Sequence, residues 1–116
     1  MVGLLGHTQC GGVQALMQDE DDGLPEHACI RQWMASASPA RQQTFDQHPH
    51  EDFTSLCRHA ECNSVALSVE HLQTYPWVQA ASERIRLHGW VFDIASGMMK
   101  VFDHNTRTFS LLSSEE

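Results

Sequence analysis

Basic residues are scarce in this 116-residue chain: 7 Lys and Arg stand against 15 Asp and Glu, a formal net charge of −8. A protein that neutralises phosphates needs the opposite balance, which argues against nucleic acid as a partner. Long apolar runs are missing as well. No stretch approaches 18 consecutive apolar residues, and the opening MVGLLGHTQC has no basic region before its short apolar run, so neither a membrane span nor a secretory leader is expected. Four cysteines, Cys10, Cys29, Cys57 and Cys62, are too few for a disulfide scaffold, and in a chain expected to be cytoplasmic they are reduced thiols. Apolar residues at 41% and charged residues at 19% are nevertheless the composition of a folding chain, and the length suits one domain over residues 1–116. Eight histidines are more unusual. Three of them, His48, His50 and His104, lie in polar, turn-like sequence and read as solvated surface.

Hydrophobic patterning sets the order of elements. Val2 to Leu5, closed by Gly6, suits a buried strand, and Gly11 to Met17 begins a helix. The acidic run Asp19 to Asp22, followed by Gly23 and Pro25, reads as a solvated loop. Between Gln32 and Asp52 the spacing of Trp33, Met34 and Phe45 predicts two short helices broken near Pro39, with a boundary at His48-Pro49-His50. From Leu56 to Leu72, Cys62, Val65, Ala66, Val69 and Leu72 make one apolar helix face, leaving Arg58, Glu61 and Glu70 to solvent. Pro76 stops or restarts that helix. Ile85 to Ile94 reads as a strand covered on both faces, Ser96-Gly97 as a hairpin turn and Met98 to Phe102 as the returning strand. The fold class expected is α/β, a partial, mostly parallel sheet with flanking helices and a C-terminal β-hairpin.

The sharpest chemical feature is Gly6-His7-Thr8-Gln9-Cys10-Gly11-Gly12. An imidazole and a thiol three residues apart sit at the carboxyl end of a strand, where open α/β sheets bind ligands. Cys10 also precedes a helix, whose positive end favours the thiolate that binds zinc or attacks an electrophile. Glycines here let the backbone approach closely and leave amide N–H groups for an anion. A packed Cys and a hydrogen-bonded His explain the same residues equally well.

GHTQCGGVQAL resembles the zinc-binding turn of the β-class carbonic anhydrases. The likeness continues in order: Ser64-Val65 through Ser68, then Leu72-Gln73-Thr74-Tyr75-Pro76-Trp77-Val78, is similar to the family's long helix ending in a TYPxV turn. Leu87-His88-Gly89-Trp90-Val91-Phe92-Asp93-Ile94 with Gly97 resembles its HGWxYxIxxG strand and hairpin. The resemblance implies a Zn2+ cofactor held by His7 and Cys10, with Gly11 and Gly12 beside bound bicarbonate, Gln14 lining the pocket, and reversible hydration of carbon dioxide as the family reaction. It covers only the second portion of a typical member. The first portion carries a CxDxR turn supplying another Cys ligand and an Asp–Arg pair, and no CxDxR occurs in this sequence. Phe92 also stands where a subgroup has a Tyr that helps bind regulatory bicarbonate.

Two accounts follow from that partial likeness. One is a truncated carbonic anhydrase, inactive or weak by itself, whose reading frame starts late. The other is a short, non-catalytic relative that acts as an interaction, zinc-binding or redox module. A metal-free Cys10 nucleophile with His7 as base is a third reading, without an orienting residue. Cys57 and Cys62 fit core and surface roles better than ligation, and Cys29 is no better placed. The unpaired strand edge left by the missing portion predicts a homo-oligomer, or pairing with a full-length relative.

Overall fold

The structure, a computed structural model, describes residues 2–18 and 28–112. The acidic run Asp19 to Asp22 lies outside the described residues. Eight elements follow one another: β1 (Val2–His7), α1 (Gly11–Gln18), α2 (Ala28–Gln47), α3 (Phe53–Gln73), α4 (Pro76–Ala80), β2 (Leu87–Phe92), β3 (Met99–Asp103) and β4 (Thr108–Leu111). They pack as two compact units, Met1–Thr8 with Val65–Glu116 and Gln9–Ser64, the boundary falling inside α3.

The first unit contains an α/β arrangement built on a four-stranded sheet in the order β1-β2-β3-β4. β1 pairs with β2 in parallel, Val2 opposite Leu87 and His7 opposite Phe92. The β2–β3 and β3–β4 ladders are antiparallel. The first of these is the expected hairpin, with Gly97 at φ 72° in its turn. β4 had no counterpart in the sequence reading, and Arg107 at φ 57° turns the chain into it. Glycine placement explains how helix and sheet meet. A Cβ at Gly6 would lie 2.8 Å from Val65 Cγ2, and one at Gly89 would lie 3.0 Å from Val65 Cγ1 and 3.3 Å from Val69 Cγ2, so both glycines admit the α3 valines. Val69, Val91 and Phe102 are buried in this layer. On the opposite face of the ladder the Trp90 ring occupies the space a Cβ at Gly3 would need and stacks on His88, centroids 5.3 Å apart. That face is only part-covered: Trp90 is half-buried and Phe92 exposed, so β2 is covered on one face rather than two.

The second unit is helical. Val13 and Met17 of α1 cluster with Cys57 and Ala60 of α3, and Cys10, Phe45 and Leu56 pack against them. α2 is one 20-residue helix that runs through Pro39, where two short helices were expected. The proline removes one N–H, but the buried stripe Ala37, Ala40 and Thr44 holds the helix by packing, and tertiary packing overrides local propensity. Asn63 Nδ2 donates to Thr44 Oγ1 at 2.9 Å, which ties α3 to α2.

Candidate metal centre

His7 closes β1 on the more open face of its ladder, and its side chain is exposed. Its Nδ1 lies 2.8 Å from the Thr8 carbonyl oxygen. A carbonyl only accepts, so Nδ1 is the donor, and in the neutral ring this leaves the lone pair on Nε2, the tautomer that suits a metal ligand. The next residue anchors this arrangement. Thr8 is buried, its N–H donates to the Phe92 carbonyl at 2.9 Å, and its hydroxyl donates to Asp93 Oδ1 at 3.1 Å while accepting from the Ile94 N–H at 2.9 Å. Asp93 also accepts from Ser96 Oγ and the Ala95 N–H. The Ser96 hydrogen bond, with those from Thr8 and Ala95 and the charge of Lys100, holds the Asp93 carboxyl below its ordinary range against a smaller opposing effect of desolvation.

Gln9 and Cys10 belong to the helical unit. Gln9 sits at φ 59°, a left-handed conformation uncommon for a non-glycine residue. Its N–H donates to Glu61 Oε1 at 3.1 Å. The Cys10 carbonyl accepts from the Gln14 N–H at 3.0 Å, which opens α1. α1 has no acidic residue in its first turn, so the positive end of the helix beside Cys10 meets no local carboxylate from that turn. Cys10 itself is half-buried. Gly12 has ordinary clearance, 3.4 Å from its would-be Cβ to Trp33 and 3.7 Å to Cys10 Sγ, and a Cβ at Gly11 would meet nothing within 4 Å. Packing therefore does not demand glycine at either position. Gln14 is exposed on α1.

Glu61 is the residue that the sequence reading misplaced. Expected in solvent, it is buried, with its side chain 2% exposed, and it pairs with the Arg58 guanidinium. Its Oε2 has no hydrogen-bond partner. The signal was present in the spacing: Cys57, Glu61, Val65 and Val69, all buried, form one four-residue stripe along α3. Burial, then the charge of Glu61, raises the Cys57 thiol above its ordinary value, so this cysteine is held neutral rather than as a metal-binding thiolate. Cys62 is half-buried and Cys29 exposed on α2. In the sheet unit a cavity of about 470 Å³ opens beside Gln73, Val78, Ile85, Arg86, His88 and His104. It adjoins the amino end of β2, the opposite end from the His7–Phe92 pair.

The family described as carbonic anhydrase matches residues 1–99. Carbonic anhydrase 1 of Escherichia coli O157:H7 is 35% identical over 114 residues, covering 96% of this chain and 50% of that protein. β-Carbonic anhydrase 5, chloroplastic, of Arabidopsis thaliana is 34% identical, covering 78% of this chain and 30% of that protein. Among solved structures, the β-carbonic anhydrase CcaA superposes with a TM-score of 0.83 at 24% identity, over 97% of this chain and 51% of its own. CafA, a β-carbonic anhydrase of Aspergillus fumigatus, gives 0.71 at 28% identity, over 88% of this chain and 48% of its own. A tetrameric β-carbonic anhydrase from Sordaria macrospora gives 0.73 at 22% identity, over 85% and 50%. The chain thus spans between 30% and 51% of the length of each of these proteins.

Proposed function

Because the chain belongs to the carbonic anhydrase family, in its β class, we propose that it supplies part of a zinc site for the reversible hydration of carbon dioxide to bicarbonate, with His7 and Cys10 as ligands. The observation that carries this reading is the His7 ring, whose Nδ1 is committed to the Thr8 carbonyl while Nε2 is left to coordinate. Imidazole nitrogen and thiolate are both zinc donors. Zinc, when bound, supplies Lewis acidity that makes water nucleophilic at neutral pH. The chain's own residues orient and bind. Thr8, fastened to Asp93 and Ile94, fixes the backbone from which His7 projects. Gly11 and Gly12 would offer backbone N–H groups at the first turn of α1 for the bicarbonate anion, with open space at Gly11.

Catalytic zinc normally has three protein ligands, and this sequence offers two at the turn and no CxDxR. On this reading the chain by itself is inactive or weak. Activity then requires a polypeptide carrying the other Cys and the Asp–Arg pair, such as a full-length relative in the cytoplasm; a homo-oligomer of this chain would cover the strand edge without supplying them. The position of β1 at the edge of the sheet supports such an assembly.

Zinc content after dialysis against a mild chelator, read beside stopped-flow carbon dioxide hydration, tests the proposal. In a chain carrying His59→Gln, weak zinc binding is expected that is lost in His7→Ala and in Cys10→Ala, with no rate above buffer until the complementary polypeptide is added. Zinc held tightly through chelation and released in Cys10→Ala would reveal a third ligand at this turn. Tight zinc with no rate even in the presence of that polypeptide would favour the non-catalytic module.

A further inference from the structure

The turn joining α2 to α3 carries a second cluster of metal-ligating side chains, all within the helical unit. His48 follows the last residue of α2, and its N–H still donates to the Thr44 carbonyl at 2.9 Å, so its backbone is fixed by that helix. His59 projects from the second turn of α3. Between them, Asp52 is already engaged: its Oδ1 accepts the Ser55 N–H at 2.8 Å as the helix N-cap, which holds its carboxyl below the ordinary range. Glu51 instead turns to the imidazoles. Its Oε2 accepts from His59 Nε2 at 2.8 Å, and its Oε1 lies 3.4 Å from His48 Nδ1. The two rings stack with centroids 3.5 Å apart and planes 8° from parallel. One donor atom from each of the three residues lies within 4.8 Å of the others.

We propose that His48, Glu51 and His59 form a binding site for a borderline divalent transition-metal ion such as zinc, cobalt, nickel or copper, separate from His7 and Cys10. Two imidazoles and one carboxylate are the donor set such ions favour, and the set contains no thiolate. Its side chains are roughly one-third exposed, so water can complete the coordination sphere. The chain's formal charge of −8 attracts cations. The helices are already held together near the site by the Asn63–Thr44 hydrogen bond, so the ion does not have to assemble the turn.

The stack describes the metal-free arrangement, with Glu51 as the bridge between the rings. Each nitrogen's lone pair lies in its own ring plane, and parallel planes cannot both point at one ion. Coordination therefore tilts the rings about their broad terminal torsions and uses an unprotonated nitrogen of each ring. Loss of the stack is thus a signature of binding at this site.

Cobalt titration of the full chain carrying His7→Ala and Cys10→Ser tests the assignment, with far-UV circular dichroism as the check of folding. One class of site is expected, with visible cobalt bands but no thiolate charge-transfer band, and with imidazole proton resonances moving as the stack opens. Affinity should fall by at least about tenfold in His59→Gln and in His48→Gln, since losing even an outer partner of a metal ligand costs that much. His50→Gln should leave it unchanged. Where the doubly substituted chain does not fold, the unsubstituted chain serves, and His59→Gln must remove the component that lacks thiolate character. Binding indifferent to both His48→Gln and His59→Gln, or no cobalt binding by the folded protein, overturns the proposal.

Discussion

Replacing Glu61 with alanine or glutamine distinguishes a buried carboxylate that holds a turn from a surface carboxylate that holds nothing. Glu61 Oε1 accepts the Gln9 N–H at 3.1 Å and pairs with Arg58. A hydrogen bond to a charged group is worth about 1.5–3 kcal/mol and a neutral one about 0.5–1.5 kcal/mol. Arg58 is one-third exposed, so its share is screened and falls below about 1 kcal/mol. Against these gains stands the burial of Oε2 without a partner, about 1–3 kcal/mol that either substitution relieves in part. Glutamine keeps an acceptor for Gln9 and should cost about 1 kcal/mol. Alanine loses the acceptor and also leaves a void in the stripe between Cys57 and Val65, for about 2 kcal/mol. For a chain of this length each kcal/mol lowers Tm by about 3–6 °C, so the expected order in a thermal melt is parent, Glu61→Gln, Glu61→Ala, with the last about 6–12 °C below the first. Amide exchange at Gln9 should accelerate in the alanine variant and less in the glutamine variant, and zinc binding at His7 and Cys10 should weaken in the same order. A solvent-facing glutamate would leave stability within about 0.5 kcal/mol in both variants. Two melts superimposable on the parent would therefore refute the role assigned to Glu61.

Gly89→Ala should destabilise by about 1–3 kcal/mol in a denaturant titration, because the new methyl meets Val65, Val69 and Phe102 at 3.0–3.3 Å and all three are buried; unchanged stability would mean that α3 readily moves away from the sheet. Asp93 has a lowered folded-state pKa, so its stabilising contribution is fully present above its ordinary value of 3.8 and is lost as pH falls through the lower folded value. Melts of parent and Asp93→Asn should accordingly differ at neutral pH and converge in acid, and a constant gap would refute the assignment. Leu5, 65% exposed on β1, is expected to join an intermolecular contact, and Leu5→Lys should shift the mass measured by light scattering toward that of one chain. An unchanged mass would place the contact elsewhere.

Those elements whose signals are local were legible in the sequence. Pro76 restarts the chain as α4 and Gly97 turns the hairpin, each through backbone geometry that the residue type dictates, and α1 opens at Gly11 as expected; β1 does not end at Gly6 but runs on to His7. What failed were readings that depend on partners distant in sequence. Pro39 reads as a break until Ala37, Ala40 and Thr44 are seen to be buried. Glu61 reads as solvated because the usual search for a helix face scores only apolar residues, and a carboxylate within the buried stripe was assigned to the wrong side. At the candidate metal turn, His7 and Cys10 stood out by type and spacing. Thr8 did not, since its partners Asp93 and Ile94 lie 85 and 86 positions away. The His48–Glu51–His59 cluster was missed for a similar reason: two members are close in sequence, and the third is brought in by the turn into α3.

The parallel pairing of Val2 with Leu87, continued to His7 with Phe92, separates the two partners in time as well as in sequence. During synthesis at about 5–20 residues per second, β1 emerges roughly 4–17 s before the β2 residues that complete its ladder. Throughout that interval the described residues offer no earlier strand for β1 to pair with, and Gly6 has no Val65 to pack against until α3 is made. The late arrival of Thr8's partners then sets the alignment: only when Asp93 and Ile94 leave the ribosome can the Thr8 hydroxyl engage both and reject a ladder displaced along the strand. Closure of the sheet thus waits on β2, because a parallel pairing between strands some 85 positions apart cannot form before the second strand exists and forms slowly once it does.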